Sequence, residues 1–168
     1  MLFDFVGDLF IQLAQFVTGL DLWLQMLSLM AIGAIPFIES YLGSFLGTIV
    51  GVNPFIAVAA AVLGNIVCTF VLIALASRVR EAATRGRERP AEKELTGRRK
   101  KVVTYLERFG VPGVTLLGPL VVASQITAPT LVAVGAKKSN VYLWTAISIA
   151  LWGILFGFFG ELLISLAT

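Results

Sequence analysis

AIPFIESYLGSFLGTIVG, residues 34–51, places a single acidic side chain, Glu39, inside a long apolar run. Glu39 is the only carboxylate between Leu22 and Ser77, and a proline, Pro36, precedes it by three positions. An ionisable side chain in a hydrocarbon environment is costly and by default marks a functional site. A proline there frees backbone groups that protein or trapped water must satisfy. The stretch therefore predicts a broken helical segment built around a functional carboxylate.

The composition indicates a bilayer-embedded helical bundle. Apolar residues make up 58% of the chain and charged residues only 14%, a balance that is unlike a soluble core. We therefore predict an all-α integral membrane protein. With no histidine and one cysteine, disulfide frameworks, histidine relays and Cys/His zinc sites are excluded. We expect no metal, no cofactor and no enzyme activity, since the sequence offers no nucleophile–base pair and no paired carboxylates.

The basic residues give the orientation. Every lysine and arginine lies at or after Arg78, and all but Lys137 and Lys138 fall between Arg78 and Arg108. A basic cluster can bind nucleic acid, but one flanked by apolar spans is typical of a cytoplasmic loop. We predict a multi-pass protein of the plasma membrane with a cytoplasmic linker at 79–97, and no nucleic-acid partner.

The first half, 1–78, reads as three elements. Apolar and polar side chains in residues 3–18 recur with the period of a helix. This pattern predicts an amphipathic helix at the membrane interface or, alternatively, a first membrane span. Residues 22–33 reach only about 18 Å as a helix, short of a ~30 Å hydrocarbon core, so we predict a re-entrant hairpin at about 22–52. A continuous span from Leu22 to about Leu46, kinked at Pro36, is the alternative. Residues 54–77 predict a full span.

The second half, 98–168, repeats this order. A basic amphipathic helix, bound to the inner leaflet or simply solvated, is followed by a hairpin at about 111–136 and a span at 140–163. We expect the tip of this hairpin near Gln125 to Pro129. The predicted hairpin breaks are Pro36, Pro119 and Pro129. The charge bias makes the two hairpins enter from opposite sides, which predicts two inverted repeats.

Glycines at intervals of about four residues predict close helix packing, since they remove side chains from one face. They also favour a homo-oligomer, which we predict to be a dimer. The glycines concerned are Gly43, Gly47, Gly51, Gly64, Gly153 and Gly157.

The run AIPFIESYLG…GVNPFIAVAAAVLGN resembles the small multidrug export proteins, a branch related to the DedA/VTT membrane family, and RFGVPGVTLLGPL…GAKKSNVYLW is similar to the second half of that pattern. The resemblance implies two re-entrant hairpins, membrane-parallel helices and transport coupled to the proton gradient. DedA-type relatives are associated with flipping undecaprenyl phosphate and related lipids. The family's membrane-embedded acid matches Glu39, and its glycine–asparagine pair matches Gly64 and Asn65. Where that pattern has arginines after the second hairpin's proline, this chain has Val114, Thr115 and Leu116.

The functional hypothesis places Glu39 as the proton-coupling group, because burial favours the neutral form of a carboxyl group. Its alternative is a solvated carboxylate at the mouth of the hairpin. We predict that the substrate is bound by Asn65, Ser124, Gln125 and Thr127. Asn65 has a second interpretation, a hydrogen bond to a neighbouring helix. Lys137 and Lys138 would attract an anionic head group.

Three functions follow from these features. The first is proton-coupled transport of an amphiphilic small molecule or lipid through the interface of the two hairpins. The second is a flippase for an anionic, polyprenyl-phosphate-type lipid. The third is a membrane scaffold subunit that transports nothing and docks partners through its glycine faces. The expected partners are membrane lipids and the amphiphilic substrate.

Overall fold

The computed structural model describes residues 2–84 and 98–167, and every regular element in these ranges is a helix. The all-α class is therefore confirmed for this part of the chain. Its seven α-helices are α1 (Leu2–Thr18), α2 (Leu22–Gly33), α3 (Glu39–Ile49), α4 (Pro54–Thr84), α5 (Arg98–Leu117), α6 (Ser124–Val134) and α7 (Lys138–Ala167). A short 3-10 turn, Gly118–Leu120, lies between α5 and α6.

Among the described residues, two helices, α4 and α7, are long and apolar enough to cross a membrane. They contain the predicted spans but extend beyond them. Helix α4 ends at Thr84 and not near Ser77, because residues 78–84 lack glycine and proline and are rich in strong helix formers. The pattern of apolar residues does not reveal this extension of α4. The rest of the predicted linker, 85–97, lies outside the described residues.

The chain divides into two compact units. Unit 1 consists of residues 1–68 and 147–168, and unit 2 of residues 69–146, so that each long helix contributes to both. The buried core of unit 1 is formed by Val17, Leu29, Ile32, Ile38, Leu46, Val52, Ala57 and Ala60. That of unit 2 is formed by Ile73, Val111, Ala128, Leu131, Val132 and Val141.

In unit 1, helices α2 and α3 form an antiparallel hairpin. A Cβ at Gly43 would lie 3.5 Å from the Cα of Gly33, and one at Gly47 would lie 2.9 Å from a methyl of Leu29. The chain reverses direction at residues 34–38, where Pro36 lies. The alternative of one continuous span kinked at Pro36 is therefore wrong. Proline lacks the amide proton that a continuous helix needs at this point.

In unit 2, the second hairpin turns earlier than predicted. Helix α5 is interrupted at Gly110 (φ 65°, ψ −178°), and its last residues, 111–117, lead into the 3-10 turn that contains Pro119. The reversal occupies 118–123, not Gln125 to Pro129. Pro129 lies inside α6, so the prediction of a break there is wrong. A proline inside a helix removes one backbone donor and strains the preceding turn, and here the helix continues past it.

Both hairpins end in the same backbone motif. The amide of Val52 donates to the carbonyl of Gly47 and that of Gly51 to Thr48, while Ala136 donates to Leu131 and Gly135 to Val132. This pair of bonds, with glycine at positive φ (89° at Gly51, 114° at Gly135), is the Schellman termination of a helix. Nothing approaches a Cβ placed at Gly51 within 4 Å. The prediction that Gly51 packs against another helix is therefore wrong, because glycine is needed at this position for the positive φ of the turn.

Helix α4 begins where the sequence indicates. The side-chain oxygen of Asn53 accepts a hydrogen bond from the amide of Phe55 at 3.0 Å, and Pro54 occupies the first helical position. This cap fixes the register of α4, which in turn determines the face on which Asn65 lies.

Candidate functional site

Glu39 is the most deeply buried ionisable side chain among the described residues of unit 1, with 1% of its surface exposed. It is the first residue of α3, directly after the turn that contains Pro36. Its φ is +53°, and that of Phe37 is +71°; these are the only non-glycine residues with positive φ in the described ranges. Left-handed backbone at such residues is costly and clusters at functional sites. The alternative of a solvated carboxylate at the hairpin mouth is not what the structure shows.

Asn65 is the polar partner of Glu39. Its side-chain amide donates to a carboxylate oxygen of Glu39, with 3.5 Å between Nδ2 and Oε2, and Asn65 itself is fully buried. The distance exceeds the roughly 2.7–3.2 Å that is usual for an N–H···O hydrogen bond, so the bond is a weak one. Asn65 therefore connects α4 to α3, as the second interpretation of this residue requires. The substrate contact predicted for Asn65 stays a prediction.

Close backbone packing brings Asn65 to this position. A Cβ at Gly64 would overlap the carbonyl oxygen of Met30, and one at Gly33 would overlap the carbonyl oxygen of Ala61. Helices α2 and α4 thus touch main chain to main chain, which only glycine permits. The glycine–asparagine pair therefore has two separate roles, since Gly64 allows the approach of α2 and Asn65 supplies the amide.

The side of α3 that follows Glu39 is polar and faces α7. The hydroxyl of Ser40 donates to the carbonyl of Ile149 at 2.7 Å. Ser44, one turn further, is fully buried, and its Oγ has no hydrogen-bond partner. Gly153 and Gly157 of α7 lie against these serines: a Cβ at Gly153 would be 3.3 Å from the Ser44 oxygen, and one at Gly157 would be 3.1 Å from the Ser44 Cβ.

Sequence reasoning missed Ser40, Ser44 and Thr48. A signal was present, because these residues recur every fourth position and share one face of α3. The glycines of the same stretch drew attention to packing instead. Gly43 and Gly47 do pack closely, with a Cβ at Gly47 falling 2.6 Å from the Cβ of Ala57.

A cavity of about 310 Å³ lies at the end of α3 in unit 1. It is lined by Thr48, Gly51, Val52, Asn53, Pro54, Gly157, Phe158 and Gly160. The turn between α3 and α4 forms one wall of this cavity and α7 forms the other. Thr48 links it to the polar side of α3, and Gly157 links it to Ser44.

Ser124, Gln125 and Thr127 lie together in the first turn of α6 in unit 2, and all three are buried. The hydroxyl of Thr127 donates to the carbonyl of Val122 at 3.4 Å, and its methyl group lies beside Gly118 in the 3-10 turn. Glu39 belongs to unit 1. The predicted meeting of these residues with Glu39 stays a prediction.

Lys137 and Lys138 border a second cavity, of about 290 Å³, in unit 2. Its wall also includes Ser77, Arg80 and Glu81 from α4 and Val132, Gly135 and Ala136 from the end of α6. The guanidinium of Arg80 donates to the carbonyl of Val132 at 3.2 Å. Three cationic side chains and one carboxylate therefore surround this space. Arg80 was missed as a site residue because the sequence places it in the predicted linker.

Comparisons of this chain with models of protein families, with characterised proteins and with solved structures found no match. In the part of the chain that the structure describes, no three histidine, cysteine or acidic side chains are grouped closely enough to hold a metal ion.

Proposed function

We propose that the chain is an integral membrane transporter that couples the movement of an amphiphilic molecule to proton uptake and release at Glu39. The proposal includes membership of the small multidrug export branch that the sequence resembles. In this proposal α4 and α7 cross the bilayer, and the two hairpins dip into it without crossing.

The exposed surfaces of α4 and α7 support membrane insertion. Helix α4 exposes Leu63, Val67, Val71 and Leu75, a row of large apolar side chains spaced by four residues. Helix α7 exposes a similar series, which includes Leu143, Leu151, Ile154 and Phe158. Water-soluble proteins bury the apolar stripe of a helix and rarely expose such continuous surface. Lipid chains are the solvent that these rows favour.

The observation that carries the coupling proposal is the buried pair of Glu39 and Asn65. This carboxyl group makes a long hydrogen bond, of 3.5 Å, to a neutral amide, and its residue begins α3 directly after a strained turn between two short helices. Burying an ionised carboxylate is expensive, and binding a proton removes that cost. Proton binding at Glu39 would thus change the free energy of the hairpin itself, as a coupling site requires.

The order of the elements supports an inverted arrangement. Each half contains a helical hairpin, a Schellman termination at glycine and then a long apolar helix. The basic residues between Arg78 and Arg108 favour a cytoplasmic location for the end of the first long helix and the start of the second half. The two hairpins then enter from opposite leaflets, as in inverted-repeat transporters.

Purified protein in vesicles with an imposed pH gradient tests the coupling. Ethidium serves as a cationic amphiphile, a fluorescent phosphatidylglycerol as an anionic one, and entrapped pyranine reports protons. We expect proton movement that depends on one of these probes and that falls to the level of protein-free vesicles in Glu39→Gln. Asp8→Asn, which changes an exposed carboxylate of α1, is the matched control and should behave like the unaltered protein. Unchanged coupled proton flux in Glu39→Gln rejects the proposal.

A second candidate function, a flippase for an anionic lipid, is favoured by the cavity that Arg80, Lys137 and Lys138 surround. Cationic side chains at this end of α7 attract phosphate head groups and repel cations. In the same vesicles, the double variant Lys137→Ala/Lys138→Ala should transport the fluorescent phosphatidylglycerol several-fold more slowly and transport ethidium at an unchanged rate. If this variant transports phosphatidylglycerol as fast as the unaltered protein does, the flippase function is excluded.

The scaffold alternative depends on glycine faces that are open to a partner. Gly43, Gly47 and Gly64 face neighbours within unit 1, as do Gly153 and Gly157. These glycine faces are therefore occupied inside one chain and are not open to a partner. For the same reason they no longer argue for a dimer, which stays a prediction.

A further inference from the structure

We infer that unit 1 contains a hydrated route that leads from the cavity at the α3–α4 turn, past Thr48, Ser44 and Ser40, to the carboxyl group of Glu39. The inference deepens the proposed function and rests on it, because it identifies how protons reach the coupling residue. It assigns a role to three hydroxyl side chains and two α7 glycines.

The entrance is the cavity of about 310 Å³ that Thr48 and Gly157 help to line. A water molecule in the liquid takes up about 30 Å³, so this space accommodates several. Asn53 lines the same cavity and is exposed at the surface. Under the proposed orientation this turn faces the outside of the cell, which is the side from which a proton gradient drives inward movement.

Ser44 marks the next step. It has no exposed surface and its hydroxyl has no hydrogen-bond partner, which is unusual, since a buried polar group left unsatisfied costs about 1–3 kcal/mol. Gly157 lines the cavity and also lies beside Ser44, since a Cβ added to it would be 3.1 Å from the Cβ of Ser44. A water molecule that enters from the cavity would supply the missing partner, as buried waters generally do.

The route continues along the same face of α3. Ser40 lies one turn before Ser44, about 6 Å along the helix axis, a separation that one bridging water can span. The hydroxyl of Ser40 donates to the carbonyl of Ile149 and keeps its lone pairs as acceptors. Ser40 is next to Glu39 in the chain, but it bonds to α7 whereas Glu39 meets Asn65 of α4, so the last step of the inferred route passes around the start of α3. Gly153 keeps α7 free of a side chain beside both serines.

Proton transfer along this route is balanced at every step. A hydronium ion in the cavity gives its excess proton to the bridging water and remains as water, and the bridging water gives a proton to the carboxylate of Glu39, which becomes neutral. The serine hydroxyls position the waters and are unchanged at the end. Tyr41, the other titratable side chain of α3, packs its ring against Phe156 of α7, with 5.4 Å between the ring centroids, and its hydroxyl donates to the carbonyl of Phe37 at 3.0 Å.

Cysteine accessibility tests the route without requiring the transported substrate. Cys68 is the only native cysteine, so Cys68→Ala provides a background with no thiol. Ser44→Cys is nearly isosteric and is compared with Leu46→Cys, which is equally buried but lies in the apolar core. Purified protein in nanodiscs is treated with methanethiosulfonate ethylammonium, a small cation that reacts with thiolates and therefore needs water at the site.

We expect Ser44→Cys to react at least about tenfold faster than Leu46→Cys, because only a hydrated thiol ionises readily. Equal rates at the two positions overturn the inference. Should Leu46→Cys fail to fold, Val17→Cys, also fully buried in the same core, replaces it.

The outcomes separate the route from the proposed function. Slow labelling of Ser44→Cys, together with loss of coupled proton flux in Glu39→Gln, rejects the route and leaves the coupling proposal standing. Fast labelling with unchanged flux in Glu39→Gln shows that water reaches the site and rejects proton coupling, and with it the use of the route inferred here.

Discussion

Phe37 and Glu39 occupy left-handed backbone on either side of Ile38, in the turn that joins α2 to α3. Each such residue costs about 1–2 kcal/mol relative to ordinary helical torsions. The neighbouring packing must supply that energy, and the buried core around Ile38 and Leu46 is the available source. The conformation directs the Glu39 side chain to Asn65, so that the strain and the polar pair belong to one local arrangement.

The coupling between Glu39 and Asn65 is measurable as a free energy. Asn65→Leu keeps the shape of the side chain and removes its amide, while Glu39→Met removes the carboxylate. We expect the double variant to be more stable than the two single changes predict, by about 0.5–3 kcal/mol, because each single change removes one polar contact from a side chain that stays buried. Reversible unfolding in mixed detergent micelles gives the four free energies. Additive single changes contradict a direct interaction.

At the residue scale, the sequence identified Glu39 because a lone carboxylate in an apolar run is visible without a structure. It also singled out Asn65, but not the bond between the two. They are 26 positions apart, and only the approach of α2 to α4 at Gly33 and Gly64 brings them together. The hydroxyl of Ser44 was missed for a similar reason, since burial without a partner depends on how α7 packs.

At the element scale, glycines allow neighbouring helices to approach closely. Helices α2 and α4 approach until backbone touches backbone at Gly33 and Gly64, and α7 meets α3 at Gly153 and Gly157. Such contacts gain van der Waals attraction over a large area without any protruding side chain. These contacts also tolerate no added side chain at the glycine, because backbone atoms cannot move aside as a flexible side chain can.

Gly64→Ala and Gly7→Ala should therefore behave oppositely. The added methyl of Gly64→Ala would overlap the Met30 carbonyl, and we expect the free energy of unfolding to fall by about 1–3 kcal/mol or more. Gly7 lies in α1 with nothing within 4 Å of an added Cβ, so alanine there should be neutral or stabilise by up to about 1 kcal/mol. Thermal unfolding in detergent compares the two. A tolerated Gly64→Ala contradicts the packing described.

Prediction of the elements succeeded where a local signal was strong. The start of α4 follows from the Asn53-Pro54 cap, and the break between α2 and α3 occurs at Pro36. The tip of the second hairpin was misplaced because Pro129 was taken as a break, whereas Gly118 and Pro119 already reverse the chain. Several prolines in one segment do not reveal which of them the fold accommodates inside a helix.

At the scale of the whole molecule, the two long apolar helices and the basic segment together predict the orientation in the membrane. Asn53→Cys should be modified only by reagent added outside the cell, and Arg89→Cys, which lies outside the described residues, only from the cytoplasmic side. Intact cells and inverted vesicles, treated with an impermeant maleimide, provide the two measurements. Modification of either position from the opposite side contradicts the inverted arrangement.

The long helices also connect the two halves of the sequence in a way that the order of the elements conceals. Unit 1 ends at Cys68 in the first half and is completed by residues 147–168, whereas unit 2 begins with the second part of α4. Neither half of the chain therefore encodes a whole unit. Severing the present chain between 84 and 98 should yield two pieces that fold only when they are made together.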